Sequence, residues 1–346
     1  MQRKKSKKSI PTTNAATSID VAKLAGVSQT SVSRVFNREW DDRVSDELRN
    51  KVLCAAEELG YSPNAIARGL IIQKTGIIGI VLADEFSVFY HHILSKLTNA
   101  FQQHDMRVMA FNIAPENDIN QIITRLNQYQ VDGIVITSAA MTQVMSEHWI
   151  QSGLPLVVLN AHMPETVCNS VYCDNFGATG QMAKHLYETG KRKFAYVSSG
   201  RSRYSDHIQR KQGFLNGLSQ LNINDCKVFE GDFSYESGLE AGRTLFSEND
   251  FPDAVFCCGE LMALGVMDVV RNEFGLRIPE DVAVAGYDDS FAASLGSYQL
   301  TAVHQPMDRM VADTTELLLN QINDARPATK SICEPMSIII RGSTAK

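Results

Sequence analysis

Residues 27–37, VSQTSVSRVFN, place an amide, several small hydroxyls and a guanidinium where surface helices ordinarily carry Glu and Lys. In helical spacing Val32, Val35 and Phe36 share one side, while Gln29, Thr30, Ser33 and Arg34 face elsewhere. Ser28 stands where a cap for the first turn belongs. Those polar groups offer hydrogen bonding rather than proton transfer. The charge distribution narrows what they meet. Residues 1–75 hold 13 Lys and Arg against 8 Asp and Glu, a net of +5; the rest hold 20 against 31, a net of −11, together the −6 of the whole chain. A basic head on an acidic body implies a polyanion partner at the head only, or else a solvated basic tail.

Catalytic templates are missing. The chain has no G-x-x-x-x-G-K-[ST], no G-x-G-x-x-G after a strand, no H-E-x-x-H and no G-x-S-x-G, so no cofactor or catalytic residue is expected. The eight His show no ligand spacing; His91 and His92 are adjacent, which on a helix points them apart. Cys54, Cys168, Cys173, Cys226, Cys257, Cys258 and Cys333 are odd in number and scattered, with no C-x-x-C pair, and read as buried free thiols in a reducing compartment, with no metal site. No apolar run approaches the roughly 18 residues of a membrane span. The basic start lacks the apolar core of a secretory signal, so a cytoplasmic protein is expected.

At 346 residues, 44% hydrophobic and 21% charged, the chain reads as globular with two or three domains. Residues 1–16 form a flexible basic arm. Over 17–61 the pattern is helical: TSIDVAKLAGV starts at the cap candidate Thr17 with Asp20 three residues on and stops at Gly26. A third helix starts at Ser45 and carries the stripe Leu48, Val52, Ala55, Ala56 and Leu59. Three helices with a tight Gly-Val-Ser turn between the first two make a helix-turn-helix unit. SPNAIARGLIIQK, within residues 62–75, is a linker with a short conditional helix after Pro63.

From Gly76 to the end, strands alternate with amphipathic helices: GIIGIVLA, RVMAFN, DGIVITS, PLVVLN and SVYCDN, then FAYVSS, KVFEGD, AVFCCG, VAVAGYD and TAVHQ. Near-continuous apolar strands between helices mean parallel sheets covered on both faces, and this length divides into two doubly wound lobes with a cleft. The expected fold class is therefore α/β: a three-helix head and a bilobal core of two doubly wound parallel sheets. Lobe one is expected over about 76–173 and 302–325, lobe two over about 174–301 and 326–341. Ligands bind beyond the carboxyl ends of such strands.

DVAKLAGVSQTSVSRVFN, RVSDELRNKVLCAAEELGYSPNAIARGL, GIIGIVLAD and IPEDVAVAGYDD together resemble the lactose/galactose-repressor family of bacterial transcription regulators, over roughly residues 17–341. The resemblance implies a homodimeric regulator, a repressor in the main, that binds pseudopalindromic double-stranded operator DNA under control of a small effector in a periplasmic-binding-protein-like core. The helix from Ser28 to Asn37 would be the recognition helix. Gln29 and Thr30 would choose base pairs, and Arg34 would reach a base: Gln pairs with adenine, Arg with guanine, and Thr contacts the thymine methyl. Ser28, Ser31 and Ser33 would let the backbone approach and bond phosphate. Thr17, Asn37 and Asn64 complete the DNA-facing set. PNAIARGL resembles the family's hinge helix, with Leu70 wedging into the minor groove and Ala67 allowing close approach across the dimer axis. The loop NREWDDRVS is longer and more acidic than the family's, so Asp41 and Asp42 would turn away from DNA.

By the same resemblance the effector would meet Tyr90, Ser138, Asn160, Tyr204, Asp206, Arg210, Phe233, Gly259, Asp288 and Gln305. Carboxylates, amides and a guanidinium flanked by aromatic rings suit a polyhydroxylated ring. Two positions depart from the family. Gly259-Glu260 stands where most members carry Asn-Asp, which would remove a ligand contact and enlarge the pocket. Asn160 stands where several sugar binders have Asp. Arg203, Arg210 and Lys211 would permit an anionic effector such as a sugar phosphate. Competing readings are a transcription activator, a sugar-binding transport component and a sugar-modifying enzyme with an appended DNA-binding head.

Overall fold

The computed structural model describes residues 16–36, 43–62, 74–83, 88–113, 119–137, 153–200, 205–247, 250–324 and 328–345. Contacts divide the chain into two compact units, residues 1–75 and 76–346.

In the first unit, α1 (Ser18–Ala25) begins in a capping box: the Asp20 N–H donates to Thr17 Oγ1, and the Thr17 N–H donates to Asp20 Oδ2 at 2.9 Å. The helix stops at Gly26, whose φ of +67° a residue with a Cβ would adopt only under strain. Two residues later Ser28 caps α2 (Gln29–Val35), accepting from the Ser31 N–H at 3.0 Å. Ser45 caps α3 (Asp46–Glu58), with Asp46 and Glu47 at its positive end. The buried core is Val21, Ala22, Val32, Val35, Val52, Ala55 and Ala56, with Phe36 and Tyr61 packed edge-to-face at 5.7 Å beside it. Leu59 does not join the predicted stripe: α3 ends at Glu58 and Leu59 lies exposed in the cap.

The second unit holds two six-stranded sheets. Sheet one contains β1 (Ile77–Ala83), β2 (Arg107–Ile113), β3 (Gly133–Thr137), β4 (Leu156–Leu159) and β5 (Asn169–Cys173), with α4 (Val88–Gln103) and α5 (Ile119–Gln128) between strands. Sheet two contains β6 (Phe194–Ser198), β7 (Cys226–Glu230), β8 (Ala254–Cys257), β9 (Ala283–Asp288) and β10 (Thr301–His304). Its helices are α6 (Asn175–Glu188), α7 (Ser205–Gln220), α8 (Tyr235–Phe246) and α9 (Glu260–Asn272). After β10 the chain returns to lobe one as α10 (Met307–Asn323), which packs on β3, β4, β5 and α4. It then adds β11 (Ser331–Glu334) to sheet one and β12 (Ser337–Ile339) to sheet two.

The strand orders are β11-β5-β4-β3-β1-β2 and β12-β10-β9-β8-β6-β7, parallel except for β12, which pairs antiparallel with β10. These pairings correct the lobe boundaries at two places. Residues 302–304 lie in sheet two because β10 pairs with β9, and Ser331–Glu334 lie in sheet one because β11 pairs with β5. The chain therefore passes between the lobes three times, after β5, after β10 and after β11. All seven thiols are free, but Cys54 and Cys333 are exposed rather than buried. Burial pushes the Cys168 thiol up to about 11 and that of Cys173 to about 12, which keeps both protonated.

The last described residues are sewn into lobe two. The Ser343 hydroxyl donates to the Val284 carbonyl at 2.6 Å and accepts the Thr301 N–H at 2.8 Å. Thr344 Oγ1 lies 2.7 Å from Thr301 Oγ1 and 2.8 Å from His185 Nε2. Burial lowers the His185 pKa below its ordinary 6.5. A histidine held neutral in the fold stabilises it above the unfolded pKa and loses that contribution as pH falls through the lower folded value. The Tm of the core is therefore expected to drop as pH is lowered from about 7 through 6.5 and below, and His185→Gln should flatten this part of the Tm–pH profile. Superimposable profiles for the two proteins would contradict the assignment.

Candidate functional site

The head presents its polar groups as the spacing requires. Val32 and Val35 are buried, whereas Gln29, Thr30, Ser33 and Arg34 are exposed on α2. Gln29 Nε2 donates to Ser18 Oγ at 3.1 Å, a contact that orients the amide against α1. The Ser28 and Ser31 hydroxyls lie 2.9 Å apart and belong to the cap, and Thr17 is occupied by the capping box. These three shape the helix ends, and Gln29, Thr30, Ser33 and Arg34 lie exposed on α2. Asn37, Asn64, Ala67 and Leu70, with Asp41 and Asp42, fall outside the described residues.

In the core, the carboxyl ends of the strands gather most of the other candidates. Arg210, on α7 and only 3% exposed, is the hub. Its Nε donates to Asn175 Oδ1 at 3.0 Å, its Nη1 donates to the Cys258 carbonyl at 2.9 Å, and its guanidinium lies 3.7 Å above the Tyr287 ring. The Tyr287 hydroxyl donates to the same Asn175 oxygen at 2.6 Å. Asp206, one turn before Arg210, has Oδ2 4.0 Å from Arg210 Nη2 and 3.6 Å from His207 Nε2. The His207 ring sits 4.7 Å from the Phe233 ring, and its Nδ1 is 3.3 Å from Ser199 Oγ. Asp288 Oδ1 accepts from Gln305 Nε2 at 2.7 Å.

Burial works against the charge of Arg210, but Tyr287, Asp288 and Asp206 outweigh it and hold the guanidinium protonated beyond its usual range. Burial raises the Asp288 carboxyl, opposed by Arg210 and by the bond from Gln305. Tyr90 and Asn160 form a separate pair in lobe one, with Asn160 Nδ2 donating to the Tyr90 hydroxyl at 3.5 Å. Among the described residues, the buried side-chain oxygens without a hydrogen-bond partner include three of these candidates: Asn160 Oδ1, Asp206 Oδ1 and Gln305 Oε1.

Two expectations change. Gly259 does not open the pocket, because a Cβ there would stand 2.6 Å from the Phe233 ring, which occupies that space. The anionic reading also weakens: Lys211 pairs with Glu230 at 3.0 Å, and Arg210 already directs its Nε and Nη1 at Asn175 and Cys258 inside the protein. Ser138, Tyr204 and Arg203 lie outside the described residues. His207, Asn175, Tyr287 and Ser199 are cluster members that the sequence reading passed over. The Asp206/Arg210 spacing of one turn marks the face of α7 on which they converge.

A helix-turn-helix head followed by a two-lobed binding core defines a DNA-binding transcription regulator controlled by a small molecule. Residues 19–64 match the bacterial regulatory proteins of the lacI family, and residues 183–344 match the periplasmic binding protein-like domain. Catabolite control protein A of Priestia megaterium is 30% identical over 328 residues, 94% of this chain and 98% of that protein. The HTH-type transcriptional repressor PurR of Pasteurella multocida (strain Pm70) is 32% identical over 337 residues, 95% and 98% of the two chains. Among solved structures, the transcriptional regulator CelR in complex with cellobiose is 29% identical, with a TM-score of 0.70 over 95% of this chain and 99% of that one. The lac repressor dimer bound to operator and the anti-inducer ONPF has the same fold, with a TM-score of 0.86 at 24% identity over 96% and 100% of the chains. This chain belongs to the lacI family of bacterial regulatory proteins. No helix among the described residues is long and apolar enough to cross a membrane.

Proposed function

We propose that the chain represses transcription as a homodimer on a two-half-site operator, and that a neutral, polyhydroxylated effector between the lobes controls it. The carrying observation is the set of unpartnered buried acceptors, Asn160 Oδ1, Asp206 Oδ1 and Gln305 Oε1, at or beside the carboxyl ends of strands. Buried oxygens without partners are costly, and a ligand rich in hydroxyl donors satisfies them. Phe233 and Tyr90 offer rings to the C–H faces of such a ligand. The likeness to a cellobiose-bound regulator supports the same class. No catalytic step is assigned to the cluster: its role is to bind.

On the DNA side, Gln29, Thr30 and Arg34 read base edges and Ser33 meets phosphate, with Asn37, Asn64, Ala67 and Leu70 carrying the hinge and flanking contacts. An effector that binds one lobe arrangement more tightly than the other shifts their balance and so changes operator affinity.

A thermal-shift screen of neutral sugars, sugar phosphates and nucleobases tests the effector class. A neutral sugar at about 100 times its Kd should add about 2.7 kcal/mol, a Tm rise of roughly 5–10 °C. Stabilisation by sugar phosphates or nucleobases alone, or by nothing in the screen, contradicts the assignment.

A further inference from the structure

We propose that Arg341 and Asp289 are positioning residues for Asp288, so that effector affinity is set partly by a segment beside β12 and outside the cleft. The inference rests on Asp288 being an effector contact. β9 ends in two consecutive non-glycine residues in the left-handed region, Asp288 with φ +85° and Asp289 with φ +58°. Asp visits this region more readily than most residues, but as single residues, and two in succession call for surroundings that hold them.

The enforcement comes from both sides. Asp289 forms an ion pair with Arg341 Nη2 at 2.7 Å, and its Oδ2 lies at hydrogen-bond distance, 2.9 Å, from His304 Nδ1, its side chain only 8% exposed. Arg341 is itself fixed: its Nη1 donates to the Leu300 carbonyl at 2.7 Å, and its N–H donates to Thr301 Oγ1 at 2.8 Å. On the other side the Ser290 N–H donates to Glu260 Oε2 at 2.6 Å, and the Ser290 hydroxyl donates to the second Glu260 oxygen. Glu260 is buried at the start of α9. The two clamps hold residues 289 and 290, and so determine how the residue before them leaves the strand. With that turn fixed, the Asp288 carboxylate meets Gln305 Nε2. A turn relaxed to negative φ would rotate the Asp288 side chain away from this partner. Pre-ordering a binding group in this way removes an entropic cost from ligand capture.

The test measures operator affinity by fluorescence anisotropy while an equimolar mixture of glucose, galactose, ribose and cellobiose is titrated into the full-length protein. For Arg341→Leu the titration midpoint should rise about tenfold over wild type while operator affinity without sugar stays unchanged. Arg341→Lys, which restores a cation for Asp289, should recover most of the response. Asp289→Asn should weaken the response in the same direction, because Asn tolerates the left-handed region but cannot pair ionically with Arg341; it carries the test if Arg341→Leu does not fold. If Asp288→Asn raises the midpoint while Arg341→Leu and Asp289→Asn do not, the positioning role is overturned and the effector reading stands. A wild-type protein whose operator affinity ignores the mixture overturns both.

Discussion

Arg34→Ala should abolish preference for operator over unrelated DNA while leaving salt-sensitive, sequence-independent binding intact. Arg34 lies exposed in the last turn of α2, on the side opposite Val32 and Val35. Its removal therefore creates no cavity, and the Tm of the head should move by no more than about 0.5 kcal/mol worth of stability. A bidentate guanidinium–guanine contact is worth about 1–3 kcal/mol of discrimination, so two half-sites lose roughly 2–6 kcal/mol together. Phosphate contacts made by the rest of the basic head carry no sequence information and survive. Competition binding against scrambled duplex at two salt concentrations checks both halves of the expectation. Unchanged selectivity would remove Arg34 from the reading surface.

Arg210→Leu has the largest expected effect in the core. It takes away the cation beside the buried Asp206 carboxylate, two donors to Asn175 and Cys258, and the group stacked on Tyr287. Leaving a buried charge without its partner costs about 3–5 kcal/mol, a Tm loss of roughly 10 °C in a unit this size. The loss has a pH signature. Asp288 already titrates above its ordinary 3.8 because of burial, and Arg210 opposes that rise. Without Arg210 the folded carboxyl moves higher still. A folded pKa above the unfolded one stabilises at low pH and loses that contribution as pH rises through the folded value. The deficit of the variant should therefore be largest at neutral pH and shrink on acidification from there toward 4. A Tm deficit independent of pH would contradict this account of the cluster. Effector response should also be lost, since Asp206 and Asp288 share the site.

The head was legible because local signals fix it: Thr17, Ser28 and Ser45 cap where their side chains meet orphan amides, and Gly26 stops α1 with a positive φ. The ten strands read from the sequence correspond to β1–β10: the inner ones are buried on both faces and written as continuous apolar runs, and the edge strands β2 and β7 keep a shorter apolar stretch. β11 and β12 were not read, since SICE and SII are edge strands of only four and three residues. Which lobe β10 and β11 join was not legible either: a strand's own sequence does not name its neighbour, and the pairing follows from the three passages between lobes. In the candidate site, Asp288, Gln305, Arg210 and Phe233 were legible as candidates because they follow strands or match family positions. Tyr287 was hidden inside the apolar run of β9, and Asn175 stood at the end of the strand segment SVYCDN with no signal of its own. Gly259 was misread because its space is filled by Phe233, a residue 26 positions earlier, which no local pattern reveals.

The central claim is that occupancy of the cleft and affinity for operator are one linked equilibrium. The direct measurement is the Kd for a selected operator duplex with and without a saturating concentration of the neutral sugar that gives the largest thermal shift. Linkage predicts a change of about tenfold or more, about 1.4 kcal/mol of coupling, with the sugar's own affinity changed by the same factor when operator is bound. An operator Kd that stays the same while the sugar demonstrably fills the cleft would contradict it.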